Sequence, residues 1–375
     1  MTRRRRVLTI AHSYCVDVNR RLAHELARAG PWDVTAVAPA RFRGDFGWHV
    51  TSVHADEPCR VVPVPVRFGA RIHMMVYRGE LVRLLREPWD VVHCWEEPYV
   101  PSAAQIANAT ALRVPLVFAT FQNIVKRYPP PFNWIERAAM RRADGLIAFS
   151  QSARRVLDAR GWQQPARIIP PGVDIELFKP DQEQRERTRH RLGWRDDVPV
   201  VGFAGRLVPE KGLHVLTRVL DRLQTPWRAL IVGRGPLEPE LRAWSRRYDD
   251  RVRLETAVAH RDVPAYLNAM DVLCAPSQTT ARWREQFGRM LIEAFACGVP
   301  VVASDSGEIP HVVDDAGILV GEQDSDGWLA AVSGLLDDPM RRAEYARRGR
   351  CRAASNFAWR VVARQHLDFF NELTR

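Results

Sequence analysis

"EQFGRMLIEAFACGVPVVAS", residues 285–304, decides how the second half of the chain folds. Met290, Leu291, Ala294, Phe295 and Cys297 repeat at helical spacing, and Gly298 with Pro300 ends that period. "VPVVAS" (299–304) then reads as a buried strand, and "DVLCAP" (271–276) upstream reads as another. Glu285 falls in the loop before the helix and Glu293 inside it. Between them, Gly288 lets the backbone approach something closely, and the first N–H groups of the helix point outward. Such an end attracts anions or sugar hydroxyls. Taken alone, the two acids read equally as a solvated loop residue near a helix start and an exposed helix residue.

Working outward, the same alternation fills the chain. "VLTIA" (7–11), "DVTAVAP" (33–39), "RVVPVPV" (60–66), "DVVHCW" (90–95), "VPLVFATF" (114–121) and "GLIAFS" (145–150) are strand-like. Helical stretches such as "NRRLAHELARAG" (19–30) and "YRGELVRLLRE" (77–87) lie between them. "RIIPPGVDIELFKP" (167–180), with paired prolines and no helical period, reads as an extended connector. The alternation restarts at "VPVVGFAG" (198–205) and continues through "RALIVG" (228–233) and "RVRLE" (251–255) to the 285–304 unit. Strand–helix–strand repeats imply parallel sheets covered on both faces. The expected fold class is therefore α/β: two doubly wound, Rossmann-like domains facing a cleft, spanning 1–175 and 176–357. An amphipathic closing segment, 358–375, can cross back to the first domain. Ligand sites of such domains lie at the carboxyl ends of their strands.

Composition bounds the partners. The 375 residues are 46% hydrophobic and 26% charged, an ordinary globular balance with material for two cores. No run approaches the roughly 20 apolar residues of a membrane span. The start, "MTRRRRVLTIAH", is too short in its apolar part for a signal peptide and reads as a first strand. Six cysteines without CxxC or paired spacing suggest free thiols in a reducing cytoplasm. The net charge of +11 is concentrated in one half. In residues 1–180, 26 Lys and Arg face 16 Asp and Glu; in 181–375, 29 face 28. The first half therefore suits an anionic partner: a phosphorylated acceptor, an anionic membrane face or nucleic acid. A genome rich in arginine codons is the plainer explanation.

"GFAGRLVPEKGLHVL" (202–216) follows a strand and opens a helix. Gly202 and Gly205 allow a tight turn, and Arg206 and Lys211 flank the helix entrance. Cations beside a positive helix end are unfavourable unless an anion joins them, so this stretch reads as a diphosphate site that needs no metal, or else as a basic loop with a lysine near a helix start. "GRGP" (233–236) lacks the rest of a dinucleotide fingerprint and reads as a turn. "DSD" (324–326) reads as a helix cap before "GWLAAVSGLL" rather than as a metal-binding carboxylate pair. No His/Cys/Asp run has zinc spacing, and no nucleophile-elbow or P-loop motif occurs. "RFGARIHMMVYR" (67–78) and "IVKRYPPPFNW" (124–134) mix basic residues with aromatics and methionine. They suit an amphiphilic or phosphorylated acceptor or a membrane surface, or else a basic face and a packed loop. Neither resembles a nucleic-acid module.

"GRLVPEKG" followed by "APSQTTARWREQFGRMLIEAFACGVPVVASDSGEIPHVV" resembles the family-4 glycosyltransferases of the GT-B fold. The likeness runs over nearly the whole chain and is densest at 198–320. It implies a retaining, metal-independent transfer of a hexose from a UDP- or GDP-sugar, the nucleotide-sugar serving as co-substrate with no other cofactor. Arg206 and Lys211 would hold the donor diphosphate, with Gly205 beside it, and Glu285 would sit near the transferred sugar. Phe287, Gly288 and Arg289 would reach that sugar through their backbone, Glu293 would hold the ribose, and the base would lie near Ala257 and Val258. The resemblance implies a saccharide or lipid-linked acceptor in surface polysaccharide assembly, on the first domain, in the cytoplasm or on the inner membrane face. Two departures stand out. "HSYCVDVN" (12–19) has no Gly-Gly turn, so Asn19 is the candidate substitute. Gln122 stands where many relatives have histidine, so that position only hydrogen-bonds, or His93 or His12 takes over. A small soluble acceptor, a non-transferase nucleotide-sugar enzyme, or a binder on the same fold are the rival readings.

Overall fold

Val7, Leu8, Ile10, Val91, Val92 and Cys94 have no exposed surface, as expected of strands that carry helices on both faces. The structure is a computed structural model and describes residues 3–44, 47–194 and 198–375. Met1–Thr2, Asp45–Phe46 and Arg195–Asp197 lie outside the described residues.

The chain divides into two units. The first comprises the chain up to Pro171 together with Trp359–Arg375. Its strands are β1 (Arg5–Ile10), β2 (Trp32–Pro39), β3 (Arg41–Gly44), β4 (Gly47–Val50), β5 (Arg60–Val64), β6 (Val66–Arg67), β7 (Val76–Tyr77), β8 (Val91–Cys94), β9 (Leu116–Thr120), β10 (Gly145–Ala148) and β11 (Ala166–Ile168). Seven of them form a sheet in the order β11-β10-β9-β8-β1-β2-β5, with every pair parallel. β3 with β4 and β6 with β7 are separate antiparallel ribbons. The order runs one way from β1 to β2 and the other way to β8, so a crevice opens at the carboxyl ends of β1 and β8. β11 was not legible in the sequence, where the extended connector begins at Arg167. Three residues there pair with β10 instead.

The closing helix, Trp359–Leu373, belongs to the first unit. Val362, Ala363, Phe369 and Phe370 bury against Val7, Leu22, Leu26 and Trp32. Arg5 donates to Asn371 at 2.6 Å and Arg167 pairs with Glu372 at 2.7 Å, which fixes its register against the sheet.

The second unit, Gly172–Ala358, has β12 (Val200–Ala204), β13 (Arg228–Val232), β14 (Val252–Glu255), β15 (Val272–Ala275), β16 (Val301–Ser304) and β17 (Ile318–Val320). They form a parallel sheet in the order β14-β13-β12-β15-β16-β17, so the order reverses between β12 and β15. The cap reading of "DSD" holds. The Asp324 side chain accepts from the Gly327 amide at 2.9 Å, and Asp326 pairs with Arg222 at 2.7 Å. All six cysteines are free thiols. Among the described residues no helix is long and apolar enough to cross a membrane.

Asp271 anchors this sheet. Its carboxylate accepts from Arg185 at 2.6 Å, from Arg189 on the same helix, and from the Val200 amide at 2.7 Å. Burial alone would raise its pKa, but Arg189 and Arg185 outweigh that and hold it below the ordinary 3.8. A depressed carboxylate stabilises the fold fully above its unfolded pKa, and that stability is lost as pH falls through the folded value. Asp271→Asn is therefore expected to cost about 2 kcal/mol at neutral pH. It should also flatten the fall in thermal midpoint below about pH 4, read from melting curves across pH 3–7.

Candidate active site

Lys211 and Glu285 are 74 residues apart in sequence and paired in space, their side chains 11% and 8% exposed. The sheet order explains the meeting. Lys211 follows β12 and Glu285 follows β15, the neighbours at which the order reverses, so both chain segments leave into the same crevice. Lys211 ends a short 3₁₀ turn, Pro209–Lys211, before the helix Leu213–Arg222. The Gln278 amide donates to Glu210 O at 2.8 Å and ties that turn to the loop after β15. Ser277 Oγ donates to Glu285 Oε2 at 2.9 Å, and the Lys211 ammonium lies 5.5 Å from the centre of the Trp283 ring. The Glu308 amide donates to Glu285 O at 3.1 Å, fixing the backbone that carries the acid.

One turn inside the helix Arg289–Ala296, Glu293 accepts from His260 Nε2 at 3.0 Å and has Arg289 at 3.8 Å. Ala257 is exposed and Val258 packs partly against the core, in the segment leading to His260. Gly288 immediately precedes the helix. The Phe287 side chain is core, edge-on to Phe357 with ring centres 5.7 Å apart, so only its backbone is available to a ligand. Gly205 follows β12 and Arg206 comes next, exposed, its guanidinium making no ion pair with a described residue. The solvent-open Arg206 guanidinium thus stands in contrast to the Lys211 ammonium, which is already met by a carboxylate. Ser277 and His260 carried no sequence signal. Serine after a strand and histidine in a polar loop are both commonplace.

In the first unit, a cavity of about 610 Å³ beside the segment that follows β1 is lined by His12, Asn19, Arg43, His49, Arg71 and His73 among others. Asn19 Nδ2 donates to Ser13 O at 3.1 Å, which orders the glycine-free turn after β1. The His12 amide and Nδ1 bond to the two oxygens of buried Glu96, at 2.6 and 2.7 Å. Burial alone would lower the His12 pKa; the charge and hydrogen bond of Glu96, with Glu97 nearby, outweigh it and hold His12 above the usual imidazole value. The Gln122 amide donates to the Tyr128 hydroxyl, and its own backbone N–H donates to Thr120 Oγ1 at 3.1 Å.

The expectation for His93 is corrected. Its side chain has no exposed surface; Nδ1 bonds Thr9 Oγ1 at 3.0 Å and the ring packs against His366, Trp95 and Phe370. Burial, and then His366, push its pKa well below the usual value. It is a core histidine under the closing helix, reached by no substrate. Of the two candidates named for the missing histidine's role, His12 lines the cavity and His93 is sealed in the core.

A family model described as "Glycosyl transferases group 1" matches residues 198–338, and one described as "Glycosyltransferase Family 4" matches residues 17–177. The chain belongs to the family-4 glycosyltransferases. A GDP-mannose-dependent alpha-(1-6)-phosphatidylinositol monomannoside mannosyltransferase of Mycolicibacterium smegmatis is 37% identical over 241 residues, 60% of this chain and 63% of that protein. A D-inositol 3-phosphate glycosyltransferase of Mycobacterium marinum is 31% identical over 296 residues, 75% of this chain and 58% of that protein. The chain spans about three fifths of the length of the curated relatives it matches. Sucrose-phosphate synthase from Thermosynechococcus elongatus superposes with a TM-score of 0.74 at 22% identity, covering 99% of both chains. Anabaena HepE in complex with UDP gives 0.75 at 20% identity, covering 98% of this chain and 100% of that one. These likenesses show the fold: each unit is one Rossmann-like half of the GT-B fold.

Proposed function

We propose that this protein is a retaining, metal-independent hexosyltransferase that moves a hexose from a UDP- or GDP-sugar to an anionic lipid-linked or saccharide acceptor. The observation that carries this reading is the Lys211–Glu285–Ser277 cluster at the β12/β15 reversal, with Glu293 one helical turn further on. In this reading the donor diphosphate takes Lys211 and Arg206 as cations and the helix Leu213–Arg222 as a dipole. These groups are strongest where negative charge grows on the departing phosphate. Glu293, steadied by His260, takes the ribose hydroxyls. Glu285 Oε2 already accepts from Lys211 and Ser277, which makes it a poor nucleophile; it positions Lys211 beside the sugar. The departing phosphate then takes the acceptor proton, on the same face as it leaves.

The relatives named as GDP-mannose-dependent make GDP-mannose the first donor to test. The first unit supports an anionic acceptor. Arg43, Arg71 and three histidines line its cavity. Exposed Trp48, Phe68 and Met74 stand in the same strand and loop segments as Arg41, Arg43, Arg67 and Arg71, a composition suited to a headgroup layer. The relatives named for D-inositol 3-phosphate favour a second reading, a small soluble phosphorylated acceptor. Purified protein incubated with labelled UDP- and GDP-hexoses, and with each acceptor class in turn, tests both. Transfer to neither class, with donor turned over in the absence of acceptor, would support a non-transferase enzyme instead. NMR of the product's anomeric proton reports retention.

His12 gives a pH test. Because Glu96 holds its pKa above the usual value, His12 stays charged beyond that value and loses its charge as pH rises through the higher folded one. The KM for an anionic acceptor is expected to climb on that alkaline limb. Glu96→Gln should move the climb to lower pH and leave donor KM unchanged. KM measured across pH 5.5–9 for both substrates checks it.

A further inference from the structure

We propose that His24, Glu57 and Cys59 form a binding site for a divalent cation of the zinc class, between the helix Arg21–Ala29 and the segment that enters β5 in the first unit. Their ligand atoms, an imidazole nitrogen, a carboxylate oxygen and a thiol sulfur, all lie within 4.8 Å of one another. Tetrahedral coordination at 2.0–2.3 Å sets ligand atoms roughly 3.3–3.8 Å apart, so side-chain adjustment brings the three donors onto one ion, with water as the fourth ligand. The donor set is the mixed N, O and S chemistry that borderline ions select over magnesium or calcium.

The surroundings are built rather than incidental. His24 sits on the helix Arg21–Ala29, and Glu57 and Cys59 sit on the segment that enters β5. His24 and Glu57 are 13% and 7% exposed at their side chains and Cys59 is buried. His24 Nε2 and Glu57 Oε2 lie in a 2.6 Å hydrogen bond; a cation bound to both takes that proton's place as they move apart, the proton passing to His24 Nδ1. Glu57 Oε1 meanwhile accepts from Arg20, a fully buried guanidinium that also bonds Asp17 and the Ser52 carbonyl. Arg20 therefore orients the carboxylate from behind, the role outer partners play at metal sites, and Asp17 offsets its charge. Binding displaces one proton from the Cys59 thiol to solvent. The sequence hides this set, since 33 residues separate His24 from Glu57. The ion would clamp the segment 51–59 to a helix whose preceding turn carries Asn19, which lines the anion cavity. The site owes nothing to the proposed transfer chemistry, and its test is independent of it.

The test uses the whole chain, stripped with chelator and titrated with Co²⁺ and then Zn²⁺. One Co²⁺ per chain is expected to bring in a thiolate-to-metal absorption band in the near ultraviolet, which Zn²⁺ then bleaches. The band should vanish in Cys59→Ser and His24→Gln and survive in Cys351→Ser, which removes the exposed thiol. Zinc at a hundredfold excess over its Kd should raise Tm by roughly 5 °C in wild type. The wild-type titration stands even where a variant fails to fold. Absence of the band in wild type, or its loss only with Cys351, would overturn the proposal.

Discussion

Lys211→Ala is expected to lower kcat for hexose transfer by roughly a hundred- to a thousandfold, the usual effect of removing one group that meets charge developing in the transition state. Stability confounds the simple variant. Removing the ammonium deprives a nearly buried carboxylate, Glu285, of its cation, and breaking such a pair from one side is costly. The informative comparison is the double replacement Lys211→Met with Glu285→Leu. Exchange of a buried ion pair for apolar groups of similar volume is often close to neutral. The double variant should thus recover most of the wild-type melting midpoint while kcat stays near the Lys211→Ala level. A double variant that regains both stability and turnover would make the pair a structural strut, and the proposed chemistry would fail with it. Glu285→Gln adds the third corner. It keeps an acceptor for Lys211 and Ser277, so donor KM should move by less than about tenfold and kcat should fall less than in Lys211→Ala.

The parts of this arrangement that were legible in the sequence are those fixed locally. β12, β15 and β16 are apolar runs flanked by helical periods, and the basic loop after β12 announces itself because cations at a helix start are otherwise unfavourable. The pairing of Lys211 with Glu285 was not legible. It depends on β15 being laid beside β12 instead of following β14, a choice made by the crossovers and not by either segment. His93 misled for a related reason. Side chains along β8 alternate between two faces, and on an edge strand His93 would reach solvent. β8 is central, with β1 and β9 on its flanks and the closing helix over the His93 face. His366 beneath it is equally buried, its pKa driven down to about 4 by desolvation. Two histidines in the core look, in sequence, the same as two histidines at a site. The His24, Glu57 and Cys59 cluster is the converse: three residues with no motif spacing that the fold gathers.

Gly212→Ala should be the most destabilising single-methyl change in the second unit, at about 3–5 kcal/mol. Gly212 adopts φ +67°, and a Cβ there would lie 1.7 Å from the Pro276 carbonyl oxygen. Two costs add: the left-handed backbone, about 1 kcal/mol for alanine, and a backbone–backbone overlap that no rotamer relieves. Gly193, in the same unit, separates them. Its φ is +83°, but a Cβ would meet nothing closer than an arginine nitrogen at 3.7 Å, so Gly193→Ala should cost only the conformational part. Urea unfolding of the two variants measures the difference directly. For a unit of this size the larger loss corresponds to roughly 10 °C in midpoint. The overlap also has a direction. Relieving it pushes the chain at Pro276 away from Lys211, and Ser277, the next residue, holds Glu285. Gly212→Ala should therefore weaken nucleotide-sugar binding at temperatures well below its own melting, whereas Gly193→Ala should bind as wild type does. Equal losses in the two variants would mean that the β15 loop yields freely, and a loop that yields cannot hold Lys211 and Glu285 in the register that the proposed diphosphate capture needs.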